Sequence, residues 1–220
     1  MTRNYSIAID GPAGAGKSTV AKIVANELNF EYIDTGAMYR AYTLKVLQNN
    51  LDPKNQDEVN SLLDSTDISF SNNHIYLDNK LVDDEIRDHR ISDNVSYIAS
   101  SKEVRERMVS LQQEMASRKS VVMDGRDITT VVLPDADYKF FVTASVEERG
   151  RRRYLELIDK GVDSITLEGI IEDIRRRDEI DSTREESPLT RTEDSILVDT
   201  TDLSIEETVD LIINLVKGGK

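Results

Sequence analysis

An α/β protein, with a mostly parallel sheet covered by helices on both faces, is the fold class this sequence predicts. Three observations predict it. A short β-type run, YSIAID (5–10), passes through a glycine-rich loop straight into the helical pattern STVAKIVANEL (18–28). Beyond that point, short apolar runs keep alternating with segments whose apolar residues recur at helical spacing. Strands that alternate with helices pair in parallel, with the helices crossing over both faces of the sheet.

The remaining elements follow in order. FEYID (30–34) reads as the second strand, and in DTGAMYR (34–40) Thr35 and Gly36 open a helix whose next turn presents Tyr39 and Arg40. From about Leu51 to Arg90 the chain turns polar and the rhythm is lost. There DISFSNNHIYLDNKLV (67–82) reads as short strands joined by an Asn-containing turn, an inserted lobe. KEVRERMVSLQQEMAS (102–117) is helical, SVVMD (120–124) is the third strand and YKFFVTA (138–144) the fourth. Two more helical patterns, EERGRRRYLELIDK (147–160) and SITLEGIIEDIRRRDE (164–179), precede the fifth strand, SILVD (195–199). SIEETVDLIINLVK (204–217) closes the pattern, and no repeat, low-complexity tract or long linker interrupts it.

Composition narrows the function. A chain of 220 residues can bury a full core in one domain with smaller lobes, and 38% hydrophobic with 32% charged residues describes an ordinary globular protein. No stretch is apolar for long enough to span a bilayer, and Ile7-Ala8-Ile9 stops at Asp10 without forming a secretory core, so the expected location is the cytoplasm. The absence of cysteine removes disulfides, thiol nucleophiles and the usual zinc sites. His74 and His89 are the only imidazoles, which leaves the chemistry to lysine, arginine and carboxylates. A formal net charge of −14 repels polyanions, so neither a nucleic-acid polymer nor a membrane is an expected partner. An anionic substrate must enter a local positive pocket. The arginines do cluster, in EERGRRRYLE (147–156) and IRRRDEIDSTRE (174–185).

GPAGAGKST (11–19) identifies the anion as a nucleotide phosphate. Gly11, Gly16, Lys17 and Ser18 match G-x-x-x-x-G-K-[ST] between a strand and a helix, the context the motif needs. Its glycines let backbone N–H groups turn inward, the helix presents its positive end, Lys17 reaches the outer phosphates and Ser18 can ligate Mg²⁺. Asp124, ending an apolar strand, is the companion for the Mg²⁺ shell, although a strand-terminal Asp is also common turn chemistry. Signalling GTPases need a DxxG switch, and the chain contains none. A small-molecule kinase instead needs a second site facing the γ-phosphate and positive groups that arrive on closure. DTGAMYR offers such a corner, or an ordinary helix cap. Arg149, Arg152 and Arg153 fall on one helix face, as do Arg177, Asp181 and Arg184 if their helix continues towards Pro188, whereas charge runs of this kind are commonly solvated.

GPAGAGKST, DTGAMYR, DGRDITTVVLPDA and RRRDEIDSTREESPL, in this order and spacing over nearly the whole chain, resemble the bacterial cytidylate kinases, a family of nucleoside monophosphate kinases. The polar stretch near 60–86 is similar to that family's insert. The resemblance implies a P-loop NTPase fold with a nucleoside-monophosphate-binding lobe between about 37 and 98 and a LID between about 150 and 184. It implies that the ATP phosphates lie on Gly11, Pro12, Ala13, Gly14, Ala15, Gly16, Lys17, Ser18 and Thr19, with Arg149, Arg152 and Arg153 closing over them. Thr35, Arg40, Arg126 and Arg184 would hold the acceptor phosphate, Arg177 and Asp181 would sit near the ribose, and Ser96, Arg105 and Asp127 would read the cytosine, with Tyr39 a further substrate residue. Mg²⁺ would sit at Ser18 and Asp124. Thr35 stands where the family also uses serine, and the exchange keeps the hydroxyl.

The reaction implied is ATP + CMP to ADP + CDP, with dCMP a further acceptor and a monomer the expected state. A phosphomonoester brings its own nucleophile, being largely dianionic at neutral pH, so no general base is required. Asp127 suits the cytosine amino donor and Arg105 its N3 acceptor, whereas uracil presents the opposite polarity to both. Adenylate and shikimate kinases are rivals on the same fold, but shikimate kinase would carry a glycine-rich run where this chain has DGRD. A non-catalytic nucleotide-binding regulator is the rival from another class, and the complete Lys, Ser, Asp and Arg set argues against it.

Overall fold

The apolar run near the start of the chain becomes the centre of a five-stranded sheet. The computed structural model describes residues 3–71, 74–162 and 164–218. Its elements are β1 (Ser6–Asp10), α1 (Lys17–Leu28), β2 (Glu31–Asp34), α2 (Thr35–Gln48), α3 (Gln56–Asn60), β3 (Ile68–Ser71), β4 (His74–Leu77) and β5 (Lys80–Leu81). Then come α4 (His89–Ile98), α5 (Lys102–Arg118), β6 (Val121–Gly125), β7 (Tyr138–Thr143), α6 (Val146–Asp159), α7 (Leu167–Thr183), β8 (Ile196–Asp199) and α8 (Ile205–Gly218). The main sheet runs β2-β6-β1-β7-β8, and every pair in it is parallel. All five strands match the segments expected to form them.

Both faces of this sheet are covered, which explains why its strands are nearly continuous apolar runs. Side chains alternate across it. Ile7 and Ile9 pack with Val122, Phe140 and Val142 against Val20 and Val24 of α1 and Val209 and Ile212 of α8. Ala8, Ile33, Val121 and Met123 face the other way, onto Ile128 and Val132 and the half-buried Val109 and Met115 of α5. Register then fixes the functional edge: Asp10 pairs with Gly125, Asp34 with Asp124 and Thr143 with Asp199, so the carboxyl ends of all five strands meet along one rim. Ligand sites of open α/β sheets form at that rim.

The inserted lobe is a small antiparallel sheet, β3-β4-β5. Asp78 and Asn79 both have positive φ, 50° and 64°, the conformation of a tight hairpin turn between β4 and β5. The Asn72–Asn73 pair, also within the expected turn, lies outside the described residues. Ile68, Ile75 and Leu77 of this sheet share a core with Met38 and Tyr42 of α2 and with Val104 and Met108 of α5. That core therefore reaches past residue 98. Two short helices were not expected, α3 within the polar stretch and α4 following it; in α4 the apolar Ile91, Val95 and Ile98 fall three to four apart and form its inner face.

Thr166, not Ser164, starts α7, its hydroxyl accepting from the Gly169 N–H at 3.1 Å, and the helix runs to Thr183. Leu157 of α6 and Ile170 and Ile174 of α7 make a separate small core. Among the described residues no helix is long and apolar enough to cross a membrane.

Candidate active site

The phosphate loop is shaped by two glycines for different reasons. At Gly11 a side chain would put Cβ 1.9 Å from the Val142 carbonyl oxygen, so the loop can lie against β7 only without one. Gly16 caps α1 with φ 81°, in the left-handed region where glycine is unstrained. Lys17 follows and is buried, its Nζ donating to the Pro12 carbonyl at 2.7 Å across the loop. Burial first, and then the Arg126 charge, push its ammonium below the ordinary lysine range. The Ser18 hydroxyl donates to Asp124 Oδ2 at 2.7 Å, and the Tyr32 phenol donates to Oδ1 at 2.8 Å. Burial, and next the Asp34 carboxylate, push the Asp124 carboxyl up. A hydroxyl and a carboxylate in contact at a helix start form an all-oxygen donor pair, which fits a small hard cation such as Mg²⁺.

Opposite the loop, β2 and β6 deliver a second group of side chains. Asp34 caps α2 through the Ala37 N–H at 2.8 Å and holds Arg40 Nη2 at 2.8 Å. Thr35 donates from Oγ1 to the Asp124 carbonyl at 2.7 Å. Arg126 donates from Nε to Asp181 Oδ2 at 2.8 Å, and Arg184, at the end of α7, donates to the Ser187 carbonyl from Nε and Nη2 at 2.9 and 2.6 Å. Burial opposes the charge on Asp181, yet Arg126 and Arg184 hold its carboxyl below the usual range. Arg177 stands among these groups; burial, then Arg126 and Arg40, push it down to about 10.

Arg105 and Asp127 form a buried ion pair. Arg105 also donates to the Ala99 carbonyl at 3.0 Å and lies over the Tyr39 ring, 5.5 Å from its centroid. Ser96 is buried beside them. Behind, Asp10 accepts from the N–H groups of Ile128 and Thr129 at 2.9 and 2.7 Å, pinning the π-helical turn Ile128–Val132 that follows β6.

These groups surround one cleft of about 720 Å³. Thr35, Tyr39, Arg40, Ser96, Arg105, Arg126, Asp127, Arg177, Asp181 and Arg184 all line it, as do Ala13–Thr19 and Asp124, while Gly11 and Pro12 stand behind the loop. Nine lysine and arginine residues face six carboxylates there, against an overall charge of −14. Three buried polar atoms of lining residues, Tyr39 Oη, Arg105 Nε and Arg177 Nε, have no hydrogen-bond partner among the described residues.

The three arginines Arg149, Arg152 and Arg153 of α6 divide differently from the expectation that they act together. Arg152 and Arg153 line the cleft, but Arg149 is turned behind the phosphate loop. Its guanidinium donates to the carbonyls of Ala144 and Ala13 at 2.9 and 2.8 Å and to Asp178 at 2.6 Å. A shared helix face gives a shared direction only roughly, and the first turn of α6 lies close enough to the loop for its carbonyls to capture Arg149. Arg151, passed over in the sequence, lines the cleft instead, tied to Glu148 with Arg152. Asp127 pairs with Arg105 and not with the adjacent Arg126, which pairs with Asp181, and its side chain caps no helix. Tyr32 and Asp178 were also missed. Tyr32 reads as a strand aromatic, and Asp178, within RRRDE, reads as one more surface charge.

The cytidylate kinase family model matches residues 7–218. A cytidylate kinase of Clostridioides difficile (strain 630) is 54% identical over 211 residues, 96% of this chain and 97% of that relative. One of Alkaliphilus oremlandii (strain OhILAs) is 53% identical over 212 residues, 96% of this chain and 97% of its own. Among solved structures, a shikimate kinase from Bacteroides thetaiotaomicron is similar with a TM-score of 0.51 at 14% identity, covering 97% of this chain and 98% of that one. Another from Acinetobacter baumannii, in complex with shikimate, has a TM-score of 0.50 at 18% identity, covering 99% of this chain and 95% of its own. At those identities the likeness speaks for the fold alone.

Proposed function

The chain belongs to the cytidylate kinase family, and from that premise we propose how its cleft divides the work. It is a nucleoside monophosphate kinase that phosphorylates CMP with ATP. The donor phosphates lie on the loop Gly11–Thr19, with Lys17 at the transferring group. Arg152 and Arg153, joined by Arg151, come over them from α6. The acceptor phosphate is held by Thr35, Arg40, Arg126 and Arg184, with Tyr39 beside it, and the ribose by Arg177 and Asp181. Ser96, Arg105 and Asp127 read the base.

The observation that carries this reading is the set of buried donors on residues lining the cleft, Arg105 Nε, Arg177 Nε and Tyr39 Oη, that have no partner among the described residues. A buried donor without a partner costs about 1–3 kcal/mol, and a ligand rich in anionic and carbonyl oxygens restores what is missing. Transfer then needs little beyond in-line placement of two anions whose repulsion the cations cancel. The acceptor supplies its own nucleophilic oxygen. Ser18 and Asp124 would hold Mg²⁺, which supplies further neutralisation of the phosphate oxygens.

The proposal extends to dCMP, which carries the same base and phosphate. It also takes the enzyme as a monomer. A coupled assay offering CMP, dCMP, UMP, AMP and shikimate with MgATP tests the assignment. CMP and dCMP should turn over best and UMP poorly. Preferred use of UMP, AMP or shikimate would overturn the base reader.

A further inference from the structure

We propose that Tyr32 is a positioning residue for the metal-bearing end of the cleft, aiming Asp124 at Ser18. The proposal rests on the reading above that Ser18 and Asp124 hold the metal.

The geometry starts from the sheet. β2 and β6 are parallel neighbours in which Tyr32 is in register with Val122 and Asp34 with Asp124. Residues two apart on a strand share a face and lie about 6.6 Å apart along it. A phenol leaning along its strand spans that distance, so the hydroxyl of Tyr32 arrives at the carboxylate one row ahead on the next strand. It donates to Asp124 Oδ1 at 2.8 Å, while Ser18 occupies Oδ2 at 2.7 Å. Each oxygen of the carboxylate thus has its own donor, and rotation of the carboxylate breaks both bonds. Without the phenol, Oδ1 of the buried Asp124 would lose that donor.

The competing role is packing alone. The Tyr32 ring lies against the core formed by Ile7, Val24 and Val122 and does not line the cleft. Tyr32→Phe keeps that ring and removes only the hydroxyl, which separates the two roles. Calorimetry of a non-hydrolysable ATP analogue, with saturating Mg²⁺ and with chelator, gives the metal-dependent gain in affinity. In Tyr32→Phe this gain should fall about tenfold, the scale of one hydrogen bond to a charged group, while affinity in chelator and KM for CMP stay near wild type and the melting temperature drops only by the loss of one buried hydrogen bond. Placed in an Asp124→Asn background, the same substitution should cost nothing further, because Tyr32 acts through Asp124.

A Tyr32→Phe protein that keeps the full gain overturns the proposal. So does an equal loss with and without metal, which marks a packing defect, or a loss that adds to that of Asp124→Asn. If Asp124→Asn itself leaves the gain intact, the metal assignment fails and the proposal falls with it; if only Tyr32→Phe does so, the assignment stands and Tyr32 is a core aromatic.

Discussion

Lys17 and Asp127 show how one side chain can serve structure and chemistry in different proportions. Among the described residues Lys17 has one hydrogen bond, to the Pro12 carbonyl, and its burial disfavours the charge it carries. Its ammonium therefore does more for an incoming phosphate than for the fold. Lys17→Ala should leave the melting temperature near wild type and lower kcat by about 10²–10³-fold, the usual scale for losing a group aimed at developing charge. Steady-state kinetics on the folded variant check it, and wild-type turnover would remove Lys17 from the mechanism. Asp127 is divided more evenly, because it also neutralises the buried Arg105. Asp127→Asn keeps an acceptor oxygen but loses the charge, so stability should drop as well, by less than the roughly 3–5 kcal/mol of breaking a buried pair outright. Its efficiency with CMP should fall tenfold or more, with a smaller loss for UMP, since the amide can donate to the uracil carbonyl. The CMP-to-UMP ratio of kcat/KM is the deciding quantity, and a constant ratio would make Asp127 purely structural.

At the scale of elements, α6 and α7 are held by contact and by charge. Gly150 allows the two helices to approach: a Cβ there would lie 2.4 Å from Ile171 Cγ1 and 3.5 Å from its Cα. Gly150→Ala should therefore lower stability by about 1–3 kcal/mol in denaturant titrations, and Ile171→Ala in the same chain should restore part of the loss. Glu148 works on the cleft side of α6, accepting from Arg151 at 2.7 and 2.8 Å and from Arg152 at 2.8 Å. Hydrogen bonds from Arg151, then Arg152, pull its carboxyl down to about 2 from 4.5. A carboxyl depressed in the folded state adds stability above its unfolded value and loses it as pH falls through the folded one. The melting temperatures of wild type and Glu148→Gln should differ at neutral pH and converge between pH 4.5 and 2. A constant difference across that window would mean that the carboxylate's charge holds nothing.

Taken whole, the molecule places a cation-rich cleft between three cores that share few side chains. One joins the inserted lobe to α2 and α5, another spans the main sheet and a third lies between α6 and α7. The cleft's nine lysine and arginine side chains outnumber its six carboxylates, and two anions would neutralise that excess. Ligands that bind the closed arrangement better will populate it. Arg176 already reaches across the seam from α7 to the Tyr97 hydroxyl of α4, at 3.3 Å. We expect proteolysis within residues 150–184 to slow markedly when ATP and CMP analogues are both present, and less with either alone. Equal digestion patterns with and without ligands would show that α6 and α7 do not close as a LID.

The fold class and the phosphate loop were decided by the sequence by itself. Both rest on local information: period-two and period-3.6 patterns choose strands and helices, and the loop works through the backbone of nine consecutive residues, Gly11–Thr19. Spacing along α7 likewise placed Arg177, Asp181 and Arg184 together on the cleft side. Tertiary structure decided the rest, because the rest depends on what lies opposite. Arg149 and Arg152 occupy one helix face, yet the carbonyls of Ala13 and Ala144 draw the first away from the cleft while Thr200 and Glu148 keep the second beside it. Asp127 finds Arg105 twenty-two positions away, and Tyr32 finds Asp124 ninety-two away across parallel strands. A sequence records which side chains can donate and accept; only the packing of distant elements brings a particular donor within reach of a particular acceptor.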